Sequence, residues 1–194
     1  MEELRINKEN VIACYNKSSE ETKETLMHLF GEDVFKFDFR SIKTYKDACK
    51  HLGLDGSKEV FNIDDCNSFN KKAMQQADAV YRLITICDAI NNGQKYDKNG
   101  TTWFPVYYFY TKEEIERMGE EKRKEKGIKL LSSAHANYSE NSGVRCANAS
   151  NRGASTSTYW GFPLCLTSEE KALYVAEQFE SLIFRCYGIE VKED

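Results

Sequence analysis

Two aromatic runs in the second half of the chain set the strongest limit on how it can fold. The first is Trp103-Phe104-Pro105-Val106-Tyr107-Tyr108-Phe109-Tyr110, and the second is Tyr159-Trp160-Gly161-Phe162-Pro163-Leu164-Cys165-Leu166. Rings of this bulk gain most from burial. Between the runs lie residues 132–158, rich in Ser, Asn, Thr, Gly and Ala. The pattern predicts two core strands or extended segments with a displayed loop between them. Pro105 has no N–H to give a ladder, so its strand is an edge strand or begins after the proline.

The first half reads as helices. Ser18-Ser19-Glu20-Glu21 has the form of a capping box, with Thr22, Leu26, Leu29 and Phe30 following and Gly31 as the stop. Phe35, Phe37 and Phe39 alternate with polar residues and predict a brief strand or extended segment. Thr44-Tyr45-Lys46-Asp47 opens a short helix that presents Tyr45, Ala48, Cys49 and Leu52, and Gly53 closes it. The clearest helix spans 68–91. Phe69, Ala73, Ala77, Val80, Ile84, Cys87 and Ile90 recur at helical spacing, and Asn91-Asn92-Gly93 ends it. Residues 111–129 mix charges of both signs with few apolar residues, which suits a solvated helix or a mobile excursion. Thr167-Ser168-Glu169-Glu170 is a second capping-box pattern. The helix after it carries Ala172, Val175, Ala176, Phe179 and Ile183 to a stop near Gly188.

Helices first, then strands, then a closing helix point to an α+β fold. We expect a helical N-terminal half packed on a small antiparallel sheet, closed by a C-terminal helix. The sheet should hold Val106 to Tyr110, the Val144 region and Leu164 to Leu166. The chain, residues 1–194, reads as one domain, with subdomains 1–92 and 93–194 as the second reading.

Composition excludes several function classes. A 41% hydrophobic and 30% charged balance argues against wholesale disorder, and a net charge of -4 supplies no global field for nucleic acid. The seven cysteines are odd in number and lack C-x-x-C spacing, so they read as reduced, buried thiols and not as a finger or a disulfide framework. Neither phosphate-loop pattern, G-x-x-x-x-G-K-[ST] nor G-x-G-x-x-G, occurs. The beginning of the chain shows no basic and apolar leader, and no apolar run has membrane-spanning length. The expectation is a cytoplasmic protein without membrane partners, and no metal or cofactor is implied.

Several segments carry a resemblance. Ile6-Asn7-Lys8-Glu9-Asn10-Val11, the corner Phe30-Gly31-Glu32-Asp33-Val34-Phe35, and Ile42-Lys43-Thr44-Tyr45-Lys46-Asp47-Ala48-Cys49 are three of them. Leu164-Cys165-Leu166 with its helix through Phe179 is the fourth. Together they resemble a group of uncharacterised proteins from phages and mobile elements of Bacteroidetes. The resemblance implies a virus- or prophage-encoded context and no activity, cofactor or catalytic residue. Residues 111–126 look like an insertion relative to that group.

Three functional readings follow. The first is a non-enzymatic binding or accessory protein of a phage or mobile element. Its recognition surface would be the polar loop, with Tyr138, Asn141, Arg145, Arg152, Tyr159 and Trp160 meeting a partner protein or a small polar ligand. Tyr and Trp give contact area at low entropy cost, and short polar groups adapt their hydrogen bonds. The second is a cysteine-dependent enzyme with Cys146 as nucleophile, His135 as base and Glu140 as orienter, the arrangement such chemistry needs. The third is a nucleic-acid-binding protein using the basic cluster Lys43, Lys46, Lys50 and Lys58, although Val60-Phe61-Asn62-Ile63 makes a poor recognition helix. His28 and His51 sit beside apolar helix positions and read as boundary residues, not ligands.

Overall fold

The computed structural model describes residues 6–57, 61, 68–94, 101–153 and 164–192. Its contacts divide the chain into two compact units, Met1–Asp38 and Phe39–Asp194.

In the first unit, α1 (Lys8–Lys17) and α2 (Glu20–Phe30) lead into a 3-10 turn, Glu32–Val34. The cap of α2 is Ser19, one residue later than the sequence pattern suggested, and it makes no side-chain capping bond. The Ser18 hydroxyl instead donates back to the Cys14 carbonyl at 2.8 Å. Leu29, expected on the buried face, is 71% exposed. No strand forms over Phe35–Phe39. Phe35 instead stacks on Tyr15 at 4.3 Å and meets Phe30 edge-on.

The second unit is α+β. It contains a 3-10 turn (Phe39–Ser41), α3 (Tyr45–Leu52) and α4 (Ser68–Asn91), then β1 (Thr101–Tyr110), α5 (Lys112–Met118) and α6 (Glu120–Glu125). It ends with β2 (Lys129–Leu130), β3 (Gly143–Gly153), α7 (Glu169–Gln178) and α8 (Glu180–Tyr187). Thr44 and Asp47 form a complete capping box at α3, and Gly53 ends it in the left-handed region at φ 70. That cap satisfies backbone groups the first turn would otherwise leave open. On α4 the buried residues include Leu83, Cys87 and Ile90, as expected, together with Ala79 and Ile86, while Val80 and Ile84 are half-buried and Ala73 is exposed. Helices α3 and α8 both pack on α4.

The sheet has the order β1-β3-β2, with both pairings antiparallel. Pro105 thus lies in an edge strand, as its missing N–H required. Pairing is regular from Thr101↔Gly153 to Val106↔Asn148 and resumes at Tyr107↔Cys146, so Ala147 is a bulge on β3. The expected third member, Leu164 to Leu166, contributes only one bridge, Leu166 to Trp103. Helices α7 and α8, one helix in the sequence pattern, break at Phe179 and cover one sheet face. The Tyr107 hydroxyl donates to the Ala176 carbonyl at 3.1 Å, and its ring meets Phe184 edge-on. Leu131, Val144, Phe184 and Ile189 form the core there.

The charged stretch 112–125 is helical and anchored. Thr111 and Glu114 cap α5 reciprocally. Arg123 is buried and donates to the Ile128 carbonyl at 2.8 Å, while the Ile128 N–H returns a bond to the Arg123 carbonyl at 3.1 Å. At the other end of the unit, the Asn91 side chain joins α4 to the entry of α7. Its Nδ2 donates to the Cys165 carbonyl at 3.0 Å, and its Oδ1 accepts the Thr167 N–H at 3.1 Å. Among the described residues, no helix is long and apolar enough to cross a membrane.

Candidate functional site

The stretch expected to be a displayed loop is turns over 132–142 and strand from 143, where the Val144 region was expected to join the sheet. Residues 143–153 are strand β3, and Ser142 and Val144 are buried. Upstream, His135 and Tyr138 exchange backbone hydrogen bonds, both 2.9 Å, around a two-residue turn in which Ala136 has φ 51. The Phe109 ring lies against both closing residues, 4.9 Å from Tyr138 and 5.8 Å from His135, nearly parallel to each.

Of the six residues expected to form a recognition surface, the three whose side chains are described, Tyr138, Asn141 and Arg145, do not converge. Tyr138 packs against the core beside Val144. Arg145, next along β3, projects from the opposite face because side chains alternate along a strand, and its Nε donates to the Tyr110 hydroxyl at 3.0 Å. Asn141 is a turn residue at φ 68 whose side-chain oxygen accepts Lys192 at 2.7 Å. Arg152 lies on β3, and its side chain is outside the described atoms. Tyr159 and Trp160 lie outside the described residues.

What the fold does build is a groove that sequence reasoning missed. A cavity of about 500 Å³ runs beside β1, with Phe104 to Tyr107 and Phe109 along one side. Leu83 and Cys87 of α4, Val175 of α7 and Ile183 of α8 supply the opposing wall. The walls are mainly apolar, and His135, Ser150 and Tyr187 are the polar groups at its border. The signal available in the sequence was Pro105 inside an aromatic run: it marked an edge strand, but not the helices that stand off from that edge.

Two thiols and one phenol of the groove are held in their neutral forms. Burial pushes the Cys87 thiol up, with Asp88 adding to the shift. Burial also raises Cys165, partly offset by a hydrogen bond from Thr102, and burial raises the Tyr107 phenol. A thiolate nucleophile needs the reverse shift.

The Cys146–His135–Glu140 arrangement has no common centre. The Cys146 thiol faces the Asn148 carbonyl at 3.9 Å and is pushed up first by burial and then by Glu180 and Glu177. It does not line the groove, whereas His135 does. Glu140 is paired with Lys192 at 3.1 Å. The groove cysteines are no substitute. Cys165 lies next to the Trp103–Leu166 bridge and His135 against Phe109. Strand rise puts those two ends about 20 Å apart.

Lys43, Lys46 and Lys50 are exposed, and Lys58 lies outside the described residues. Asp47 sits among them, accepting the Lys43 N–H at 3.2 Å. His28 is exposed, and His51 contacts the Asn92 side-chain oxygen at 2.9 Å. Among the described residues, no group of His, Cys, Asp and Glu is arranged to hold a metal ion. Comparison with protein-family models, curated proteins and solved structures returns no match for the chain.

Proposed function

We propose that this chain is a binding protein that takes an apolar guest in the groove beside β1. The observation that carries the reading is the groove itself. Its volume of about 500 Å³ falls within the roughly 300–1,000 Å³ of small-ligand sites, and apolar walls with few polar groups are their usual lining. The polar stretch had favoured a polar ligand, but the walls favour an apolar one. Neutral thiols, with no base assembled beside them among the described residues, argue for binding in place of catalysis. An accessory role in a phage or mobile element rests on the sequence resemblance.

The test uses an anilinonaphthalene dye, which fluoresces on entering an apolar site. Leu164 lines the groove and is half-buried, so Leu164→Trp fills space with little disturbance of the core. The native protein should enhance dye fluorescence, and Leu164→Trp should weaken binding by more than about ten-fold, the effect of losing roughly 1.4 kcal/mol. An unchanged circular dichroism spectrum and melting temperature control for folding. Equal dye binding by both proteins would place the dye elsewhere and remove the reading.

A further inference from the structure

The two edges of the sheet are finished differently. At the β2 edge the C-terminal tail closes the ladder. Leu131 bridges Val191, the Ser132 N–H donates to the Glu190 carbonyl at 2.9 Å, and the Lys192 N–H donates to the Leu130 carbonyl at 2.8 Å. At the β1 edge, the described residues form a single bridge, at Trp103. Trp103 exchanges two backbone bonds with Leu166, both 2.9 Å, in antiparallel sense.

That pairing stops after one residue for two reasons. Pro105, the next outward-facing position, has no N–H. The carbonyls of Cys165 and Leu164 are turned to α4, where the Asn91 side chain and the Cys87 thiol take them.

Beyond Pro105, no described residue pairs with this edge. Backbone groups alternate between the two sides of a strand. The bulge lies on β3, so β1 keeps its alternation. Trp103 faces outward, and so therefore do Tyr107 and Phe109. Two N–H donors and two C=O acceptors are thus presented along the stretch of β1 that lines the groove. No charged side chain stands on that stretch, although charge is one of the usual devices that blunt an edge.

We infer that the groove accepts an extended peptide segment, which adds to β1 as an antiparallel strand and seats an apolar side chain against Leu83, Val175 and Ile183. This deepens the binding reading above and rests on it. A compact apolar molecule would fill the walls but leave the backbone groups of Tyr107 and Phe109 unmatched. An extended peptide satisfies both at once: its main chain supplies the hydrogen bonds and an alternate side chain supplies the apolar contact. The Leu166 bridge shows that the edge takes a strand in the antiparallel sense.

The experiment selects a displayed library of random heptapeptides on the full chain and synthesises the enriched sequence. Amide hydrogen exchange is then followed in isotope-labelled protein with and without that peptide. The Tyr107 and Phe109 amides should exchange more than about ten-fold more slowly when it is bound. The peptide should displace the anilinonaphthalene dye. A version N-methylated at alternate residues, with its side chains unchanged, should bind more than about ten-fold more weakly, because each backbone bond lost costs about 1 kcal/mol. The inference is overturned if no peptide enriches, if the two amides stay unprotected, or if N-methylation changes nothing. It is also overturned if both amides already exchange slowly without peptide, since the chain's own residues would then occupy the edge. Dye binding that persists through such a failure leaves the binding reading standing, whereas loss of dye binding removes both.

Discussion

Replacing Phe109 with leucine tests the arrangement at one end of the groove. Its ring lies between the two residues that close the 135–138 turn, 4.9 Å from Tyr138 and 5.8 Å from His135. An aromatic pair contributes about 0.5–1.5 kcal/mol beyond the area it buries, so two pairs amount to about 1–3 kcal/mol. Leucine retains most of the apolar contact of a half-buried ring, which keeps the packing loss well below the 3–5 kcal/mol typical of Phe→Ala in a full core. Phe109→Leu should therefore cost about 2 kcal/mol, at the middle of that stacking range. Urea unfolding followed by circular dichroism measures it. A double-mutant cycle with Tyr138→Leu isolates the stacking and should return a coupling of about 0.5–1.5 kcal/mol. A coupling within about 0.3 kcal/mol of zero, the scatter expected for independent sites, would refute the claim that the turn is held by these rings.

Other substitutions probe the backbone and the caps. Ala136 has φ 51, where an L-residue is strained by about 1–2 kcal/mol. After glycine's extra chain entropy, Ala136→Gly should stabilise the protein by roughly 0.5–1 kcal/mol, and a lower melting temperature would count against it. A Cβ at Gly143 would lie 2.6 Å from both Ile115 Cδ1 and Ile128 Cγ2. Gly143→Ala should therefore cost about 1–3 kcal/mol in urea unfolding, and a neutral result would mean that α5 is not docked on the sheet. Thr44→Ala removes the α3 capping box and should cost about 1 kcal/mol, with faster exchange of the Asp47 amide as the local readout. Burial pushes the Cys186 thiol up to about 11. The folded state keeps a proton that the unfolded chain releases near pH 8.5. The Cys186 contribution is therefore intact below that pH and is lost as pH rises toward about 11. Cys186→Ala should flatten the alkaline fall in the urea midpoint, and an equally steep fall in the variant would contradict the shift.

The parts of the fold that were legible in the sequence are those governed by local chemistry. Thr44, Asp47 and Gly53 bracket α3 because cap and stop act within a few residues. Asn91 ends α4, and Pro105 marks an edge strand, for the same local reasons. Long-range effects hid the rest. The strand expected around Val144 runs on to Gly153 through residues that seldom form strands, because β1 supplies a ladder and Ala149 is buried. Phe35 found a ring partner in Tyr15, which alternation cannot reveal. The charged stretch is helical and mostly exposed, as expected, but the sequence did not show that Arg123 pins it by binding a buried carbonyl. The groove is a gap between β1 and three helices, and no pattern within any one of those segments encodes it.

The Asn91 amide has a consequence for assembly. One short side chain reaches backbone groups 74 and 76 positions downstream and so sets the distance between the end of α4 and the entry to α7. A nascent polypeptide that stops short of Thr167 lacks this latch, and with it the far wall of the hollow. Translation products cut before that point hold the Leu83 and Cys87 side of the hollow without the Val175 and Ile183 side, so its walls meet only once the downstream helices are made.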